Sequence, residues 1–281
     1  MTAVRPITQL EALDAPAQKL AKAVRAVIRP GPLKNALSGS WLGHALHPLL
    51  TDVTIGSFTS AVALDWLGGD ESEPAAQRLI GLGLLSTLPT VSSGYTDWAD
   101  TELANEAVRR VGVVHAAGNF TAASLFAASW LARRRGDQGR GRALALAAGG
   151  VMAGAAYLGG HLTLAEGVGV DHTTFEDATD DWTAVLADAE LSDGRMRCVE
   201  ADGTAVMVAR AGGNLYALSN HCSHRGGPLH EGELDGLTVI CPWHDSVFDL
   251  RDGALVHGPA AYPQPAWDVR ARDGRIEVRR R

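Results

Sequence analysis

The sequence predicts a multidomain chain, with an all-α domain of four helices read as transmembrane, followed by an all-β domain. Three observations carry that expectation. Two runs, Val111–Ala132 and 143–164, hold no Asp, Glu, Lys or Arg over about the length needed to cross a hydrocarbon core. An acidic stretch follows them. Beyond Trp182 the apolar residues recur with period two, the strand period. The 281 residues leave room for two domains, and a net charge of −7 offers no basic patch for nucleic acid. The expected boundaries are an N-terminal segment 1–44, a four-helix membrane domain 45–165, an acidic linker 166–181 and a β-domain 182–281.

Within 1–44, the stretch Asp14–Ile28 is expected to form an amphipathic helix. Asp14 stands as its cap, Pro16 lies in its first turn, and Lys19, Lys22 and Arg25 share a basic face. Such a face suits an anionic membrane surface or the protein's own flank. The first residues, Met1 to Pro6, open no apolar core of the kind a cleavable signal carries.

Four apolar segments follow, at about His47–Leu67, Ala75–Tyr95, Val111–Ala132 and Ala143–Ala165. The last two are rich in Gly, Ala and Ser, which lets helices approach closely in lipid. Asp52 and Asp65 interrupt the first, and Pro89 interrupts the second. Four crossings place His44, His47, Tyr95, Asp97, His115 and His161 at one membrane face, the face from which the C-terminal domain is expected to hang. Facing histidines suit haem b, and a polar pocket at that depth suits a quinone head group. Helix-end histidines resting in the interface are the third possibility. The run 133–142 holds five arginines and favours the cytoplasm for the opposite face. Cofactor assembly in the cytoplasm and the lack of an export signal argue instead that the β-domain is cytoplasmic. The chain is expected to be a multi-pass membrane protein in contact with lipid.

The linker carries Glu166, Asp171, Glu176, Asp177, Asp180 and Asp181 and is expected to be extended or mobile, with His172 solvated. Strands are expected at 196–200, 205–209, 214–218, 237–240, 246–250 and 275–279. Turn signals at 201–203, 211–214, 250–253 and 272–274 separate them. Cys198 is expected to be a small buried residue of the first strand.

The chemistry lies in two loops of this domain. Cys222 and His224 are followed by sixteen residues, then Cys241 and His244. Two thiolates and two imidazoles fit either zinc or a [2Fe–2S] centre. Zinc fingers pair both cysteines on one arm, whereas here each arm gives one of each type. That division suits a cluster with thiolates on one iron and imidazoles on the other. With three cysteines in all, no disulfide is available beside such a site, which points to a reducing compartment.

The motif resembles the Rieske iron–sulfur family: Cys222–His224 runs into Arg225–Leu229, Cys241–His244 into Asp245–Asp249, and a later loop spans Gly258–Pro263. The resemblance implies a [2Fe–2S] cofactor held by Cys222, His224, Cys241 and His244, and one-electron transfer to a partner reductase or acceptor. It also implies that Ser246 donates to a bridging sulfide, while Phe248 replaces the tyrosine of high-potential members. The second cysteine pair of those members is absent. A potential in the low to middle part of roughly −150 to +300 mV follows. The 37 residues after His244 leave no room for the mononuclear iron domain of a Rieske oxygenase. Asp245 is read as a surface carboxylate. The run Gly43–Leu50 with Gly94–Trp98 resembles a small bacterial membrane-domain family without assigned activity, which supports only the membrane reading. The chain is thus expected to be a membrane-anchored electron carrier. The alternatives are a relay whose helices also bind haem or quinone, and a structural zinc module.

Overall fold

The computed structural model describes residues 4–103, 105–177 and 180–281. The chain divides into two compact units, Met1–Ile28 with Leu46–Val168, and Arg29–Ala45 with Gly169–Arg281. The segment 1–44 is therefore split at residue 28. Its first part belongs with the helices and its second with the β-domain.

Seven α-helices occur among the described residues: α1 (Arg5–Thr8), α2 (Asp14–Val27), α3 (Pro32–Ser38), α4 (Leu46–Leu67), α5 (Glu73–Thr101), α6 (Glu106–Arg134) and α7 (Gln138–Leu164). Four of them match the apolar segments. The structure carries α4 unbroken past Asp52 and Asp65, and α5 unbroken past Pro89. Only α6 and α7 are long and apolar enough, by length and composition, to cross a membrane unaided.

Asp14 does not cap α2. It is the first residue of the helix, and its carboxylate instead takes hydrogen bonds from Arg110 Nε at 2.9 Å and Nη2 at 2.7 Å. The arginine fork offers two charge-assisted bonds where a cap offers one. Ala17 and Ala21 are buried beneath α2, and Arg25 pairs with the fully buried Glu102 at 3.1 Å. Part of the expected basic face is thus committed to the protein, while Lys19 and Lys22 stay exposed.

The interior of α4–α7 is built from small residues, among them Ala61, Ala76, Ala122, Ala145 and Ala148, around a stacked pair, Phe58 and Phe126. Large apolar residues point outward: Leu85 and Leu88 are 70% exposed and Phe120 76%. A bundle packed by water would show the reverse distribution. Small residues inside and large ones outside is the arrangement of helices packed in lipid.

The second unit is all-β apart from α3. Its strands are β1 (Thr183–Ala187), β2 (Arg195–Ala201), β3 (Thr204–Ala211), β4 (Asn214–Ser219), β5 (Glu233–Asp235), β6 (Thr238–Ile240), β7 (Val247–Asp249), β8 (Leu255–His257), β9 (Ala266–Arg272) and β10 (Arg275–Arg280). They form a six-stranded antiparallel sheet ordered β1-β10-β9-β4-β3-β2 and a four-stranded one ordered β5-β6-β7-β8. Met207, Leu218, Leu229, Val239, Phe248 and Leu250 share one core with both motif cysteines.

Two expectations change here. Cys198 is exposed, on the edge strand β2. The linker is also not free over residues 169–177. Thr173 is buried with its N–H and hydroxyl both on Asp171 Oδ1, and the His172 N–H donates to the Ser223 carbonyl at 3.0 Å. Local Asx bonding supplied the order that composition did not suggest. The His172 side chain is exposed, as expected, and residues 178 and 179 of the linker lie outside the described residues.

Candidate metal centre

The two ligand arms are loops of the same design. After β4, the Gly226 N–H donates to the Cys222 carbonyl at 2.7 Å and the Cys222 N–H donates to the Gly227 carbonyl at 2.9 Å. Between β6 and β7, the Asp245 N–H reaches the Cys241 carbonyl at 3.2 Å and the Cys241 N–H reaches the Ser246 carbonyl at 2.8 Å. Each turn needs a residue in left-handed backbone, Gly226 at φ 74° and Asp245 at φ 61°. Asp245 is thus an exposed carboxylate, as expected, that also closes its turn. Gly227 sits where the arms meet, since a Cβ there would stand 3.0 Å from Cys241 Sγ and 3.1 Å from the Trp243 ring.

This places all four expected site residues together. Cys222 and Cys241 are buried, with their thiols hydrogen-bonded to one another and not joined as a disulfide. The His224 and His244 rings lie 4.9 Å apart, edge to face at 89°. His224 Nδ1 is buried with no hydrogen-bond partner among the described residues. A buried nitrogen without a partner is costly unless something else takes its lone pair. Acceptance of the Cys222 thiol proton, aided by the N–H groups of Trp243 and His244, brings the Cys241 thiol down to about 7. The same contact holds Cys222 above the ordinary thiol range. Burial, then the charge of His244, keeps His224 well below the ordinary imidazole range. A thiol lowered at Cys241 and an imidazole held neutral at His224 belong to a donor set that fits an iron–sulfur cluster.

A third loop, the run from Gly258 to Pro263, braces both arms. Ser246 is fully buried, and its Oγ accepts the Ala260 N–H at 3.0 Å. The Ser223 hydroxyl donates to the Tyr262 carbonyl at 3.1 Å. Gln264, also buried, accepts the Ser223 N–H at 2.9 Å and donates to the carbonyls of Ser219 at 2.8 Å and His221 at 2.6 Å. The segment 29–45 braces this loop in turn. Asn35 Oδ1 accepts the Gly258 N–H at 3.1 Å and the His257 Nδ1–H, and Ser40 Oγ donates to the Ala260 carbonyl at 3.1 Å. Lys34 is buried within electrostatic reach of His224 and His257. Sequence reasoning missed Gln264, Asn35, Ser40 and Lys34. The Gln carries no motif signal, and the others lie about two hundred residues upstream of their partners.

Comparison with known proteins assigns a family to each part of the chain. Residues 181–268 match the family described as Rieske [2Fe-2S] domain, and residues 43–172 match the one described as "Predicted membrane protein (DUF2231)". Ferredoxin CarAc of Metapseudomonas resinovorans is 32% identical over 34% of this chain and 92% of its own length. The anthranilate 1,2-dioxygenase ferredoxin subunit of Burkholderia cepacia is 31% identical over 35% of this chain and 91% of its own. Among solved structures, the ferredoxin of carbazole 1,9a-dioxygenase from Nocardioides aromaticivorans IC177 is 34% identical, covering 36% of this chain and 98% of that one, with a TM-score of 0.34. The cofactor is accordingly a [2Fe–2S] cluster. The chain belongs to the Rieske [2Fe–2S] family and carries a predicted membrane domain ahead of its cluster domain.

Proposed function

We propose that the chain is a multi-pass membrane protein whose β-domain carries one electron at a time, with Cys222 and Cys241 on one iron and His224 and His244 on the other. The observation that carries this is the convergence of two buried thiols and two perpendicular imidazoles, one with an unpartnered Nδ1. Neutral imidazoles in place of two thiolates make a cluster less negative and raise its potential above that of all-cysteine ferredoxins. Phe248, fully buried and without a hydroxyl, keeps the potential in the low to middle part of the Rieske range.

Anchoring is supported by the outward-facing apolar side chains. The most apolar windows of α6 and α7 are each only 22% buried, where the core helix of a soluble protein would be mostly buried. Trp243 is 49% exposed beside His244, an aromatic surface on which a redox partner protein docks. The partner is a reductase or a terminal acceptor, by analogy with the ferredoxin subunits among the relatives. Three cysteines with no disulfide among them support a cytoplasmic β-domain.

The test is full-length protein purified from membranes and analysed for iron, sulfide and zinc, with EPR before and after dithionite. A [2Fe–2S] signal in the reduced membrane protein is expected. Zinc without iron, or recovery in the soluble fraction, overturns the reading. Cys198 reports orientation: a membrane-impermeant maleimide should label it in lysed but not intact cells.

A further inference from the structure

The four long helices are two copies of one hairpin. Residues of α4 and α6 that lie 68 apart do the same work: His47 and His115, Phe58 and Phe126, Asp65 and Arg133. In α5 and α7 the spacing is 65: Ala76, Ile80 and Gly83 are buried, and so are Gly141, Ala145 and Ala148. The equivalent side chains meet across the bundle. Phe58 and Phe126 stack with centroids 3.9 Å apart and ring planes 1° from parallel. Arg133 forms two hydrogen bonds with Asp65, at 2.9 Å and 2.5 Å. A pseudo-twofold axis passing between these pairs explains both contacts.

The same axis relates His47 and His115, and the two are held alike. His47 Nδ1 is 2.9 Å from the Thr90 carbonyl, and His115 Nδ1 is 2.8 Å from the Ala155 carbonyl. Four residues beyond each carbonyl stands a glycine whose missing Cβ makes room for the ring: a Cβ on Gly94 would be 2.6 Å from His47 Cε1, and one on Gly159 would be 2.9 Å from His115 Cε1. A carbonyl can only accept, so both Nδ1 atoms carry the proton and both Nε2 atoms carry the lone pair when the rings are neutral. At His115, Asn119 Nδ2 stands 3.1 Å from Nε2 and 3.4 Å from Nδ1 and donates to the His115 carbonyl at 3.0 Å, so an iron on Nε2 would take the place of that amide contact. His47 Nε2 has no hydrogen bond among the described residues, and the two rings lie within electrostatic reach of each other.

From this geometry we infer that His47 and His115 are the two axial ligands of a haem b lying across the pseudo-twofold axis. This deepens the membrane reading above and is independent of the cluster ligands. No third His, Cys, Asp or Glu joins the pair among the described residues, whereas zinc and copper(II) sites need three or four protein ligands. Haem brings four nitrogens of its own and asks the protein for two. The carbonyl-bound Nδ1 is the outer contact that orients a ligating histidine. His161 is not part of the site, because it pairs with Glu166 at 3.4 Å.

Full-length protein from haem-sufficient cells, purified in detergent, should show a reduced-minus-oxidised spectrum of b type with about one haem per chain by pyridine haemochrome. His47→Ala and His115→Ala should each cut haem content at least about tenfold, with recovery on adding imidazole, while His161→Ala keeps it. EPR on the same samples reads the cluster separately, so loss of one reading leaves the other intact. Wild-type protein that has its cluster signal but takes up no haem, in cells or on haemin titration, overturns the inference. So does haem retained by the double alanine variant, or a spectrum changed only by added quinone.

Discussion

Removing the Ser246 hydroxyl should lower the cluster potential. This residue is fully buried, its Oγ accepts the Ala260 N–H at 3.0 Å, and its own proton has no acceptor among the described residues. Its carbonyl also closes the Cys241 turn, which holds the side chain beside that ligand. With the cluster bound, a hydroxyl so placed would donate to a sulfide or to the cysteine sulfur. The reduced cluster carries one more negative charge, so the bond is stronger there and favours reduction. A hydrogen bond to a charged acceptor contributes roughly 1.5–3 kcal/mol, and if about half of that separates the two oxidation states, Ser246→Ala lowers the potential by roughly 30–65 mV. The assay is a dye-mediated redox titration followed by EPR, with Ser246→Thr as the control that keeps the hydroxyl. A potential that is unchanged or raised in the alanine variant, at full cluster content, refutes the reasoning.

Other outcomes follow from the same contacts. Cys241→Ser should abolish the reduced-state EPR signal, and His244→Ala should do the same, since each removes one of the four proposed ligands. Asp65→Asn leaves Arg133, 0% exposed at its side chain, without its counter-charge, a loss of about 3–5 kcal/mol. Because the two positions are pseudo-equivalent, the exchange Asp65→Arg with Arg133→Asp should recover most of it, read as the thermal midpoint in detergent. Asn35→Ala removes two hydrogen bonds from the loop at 258 and should cost about 1–2 kcal/mol of β-domain stability, with faster cluster loss under chelator. Burial raises the Glu176 pKa, with His221 3.4 Å away. An acid raised in the folded state is fully compatible with folding below its unfolded pKa and costs stability as pH rises through the folded value. Glu176→Gln should therefore raise the melting temperature near neutral pH, and leave it unchanged below the ordinary glutamate range.

The cluster loops were legible because their information is local. Each arm packs its Cys, its His and its turn residue into a few positions, and spacing alone brings them to one loop. The four long helices were legible for a similar reason, since composition over some twenty residues reports what surrounds them. What remained hidden depends on tertiary contact. Arg133 looks like one of five loop arginines in the sequence, yet it lies inside α6 with its charge spent on Asp65. Gln264 has no motif and makes three of the hydrogen bonds that hold the Cys222 arm. Cys198 has strand surroundings in the sequence, yet it is exposed on an edge strand. Strands of three residues, β5 and β8, are too short for a period of two to show.

Ligand economy connects the two candidate sites. Under both proposals two side chains serve each iron: Cys222 with Cys241, His224 with His244, and His47 with His115. A bare ion held by protein alone needs three or four ligands on that one ion. Two ligands suffice only when the cofactor supplies the rest of the coordination sphere, as sulfides do in a cluster and a macrocycle does in haem. The protein's remaining task is then orientation, and the structure performs it by the same means in both places. Each time, glycine clears space beside the ligands. Gly227 lies against Cys241 Sγ, as Gly94 and Gly159 lie against the two rings. Hydrogen bonds from outside the ligand loops or helices then fix the donors: Gln264 and the Ala260 N–H around the cluster arms, the Thr90 and Ala155 carbonyls behind the histidines. Under the two proposals together, the chain orients both sets of ligands for prosthetic groups that change charge by one electron.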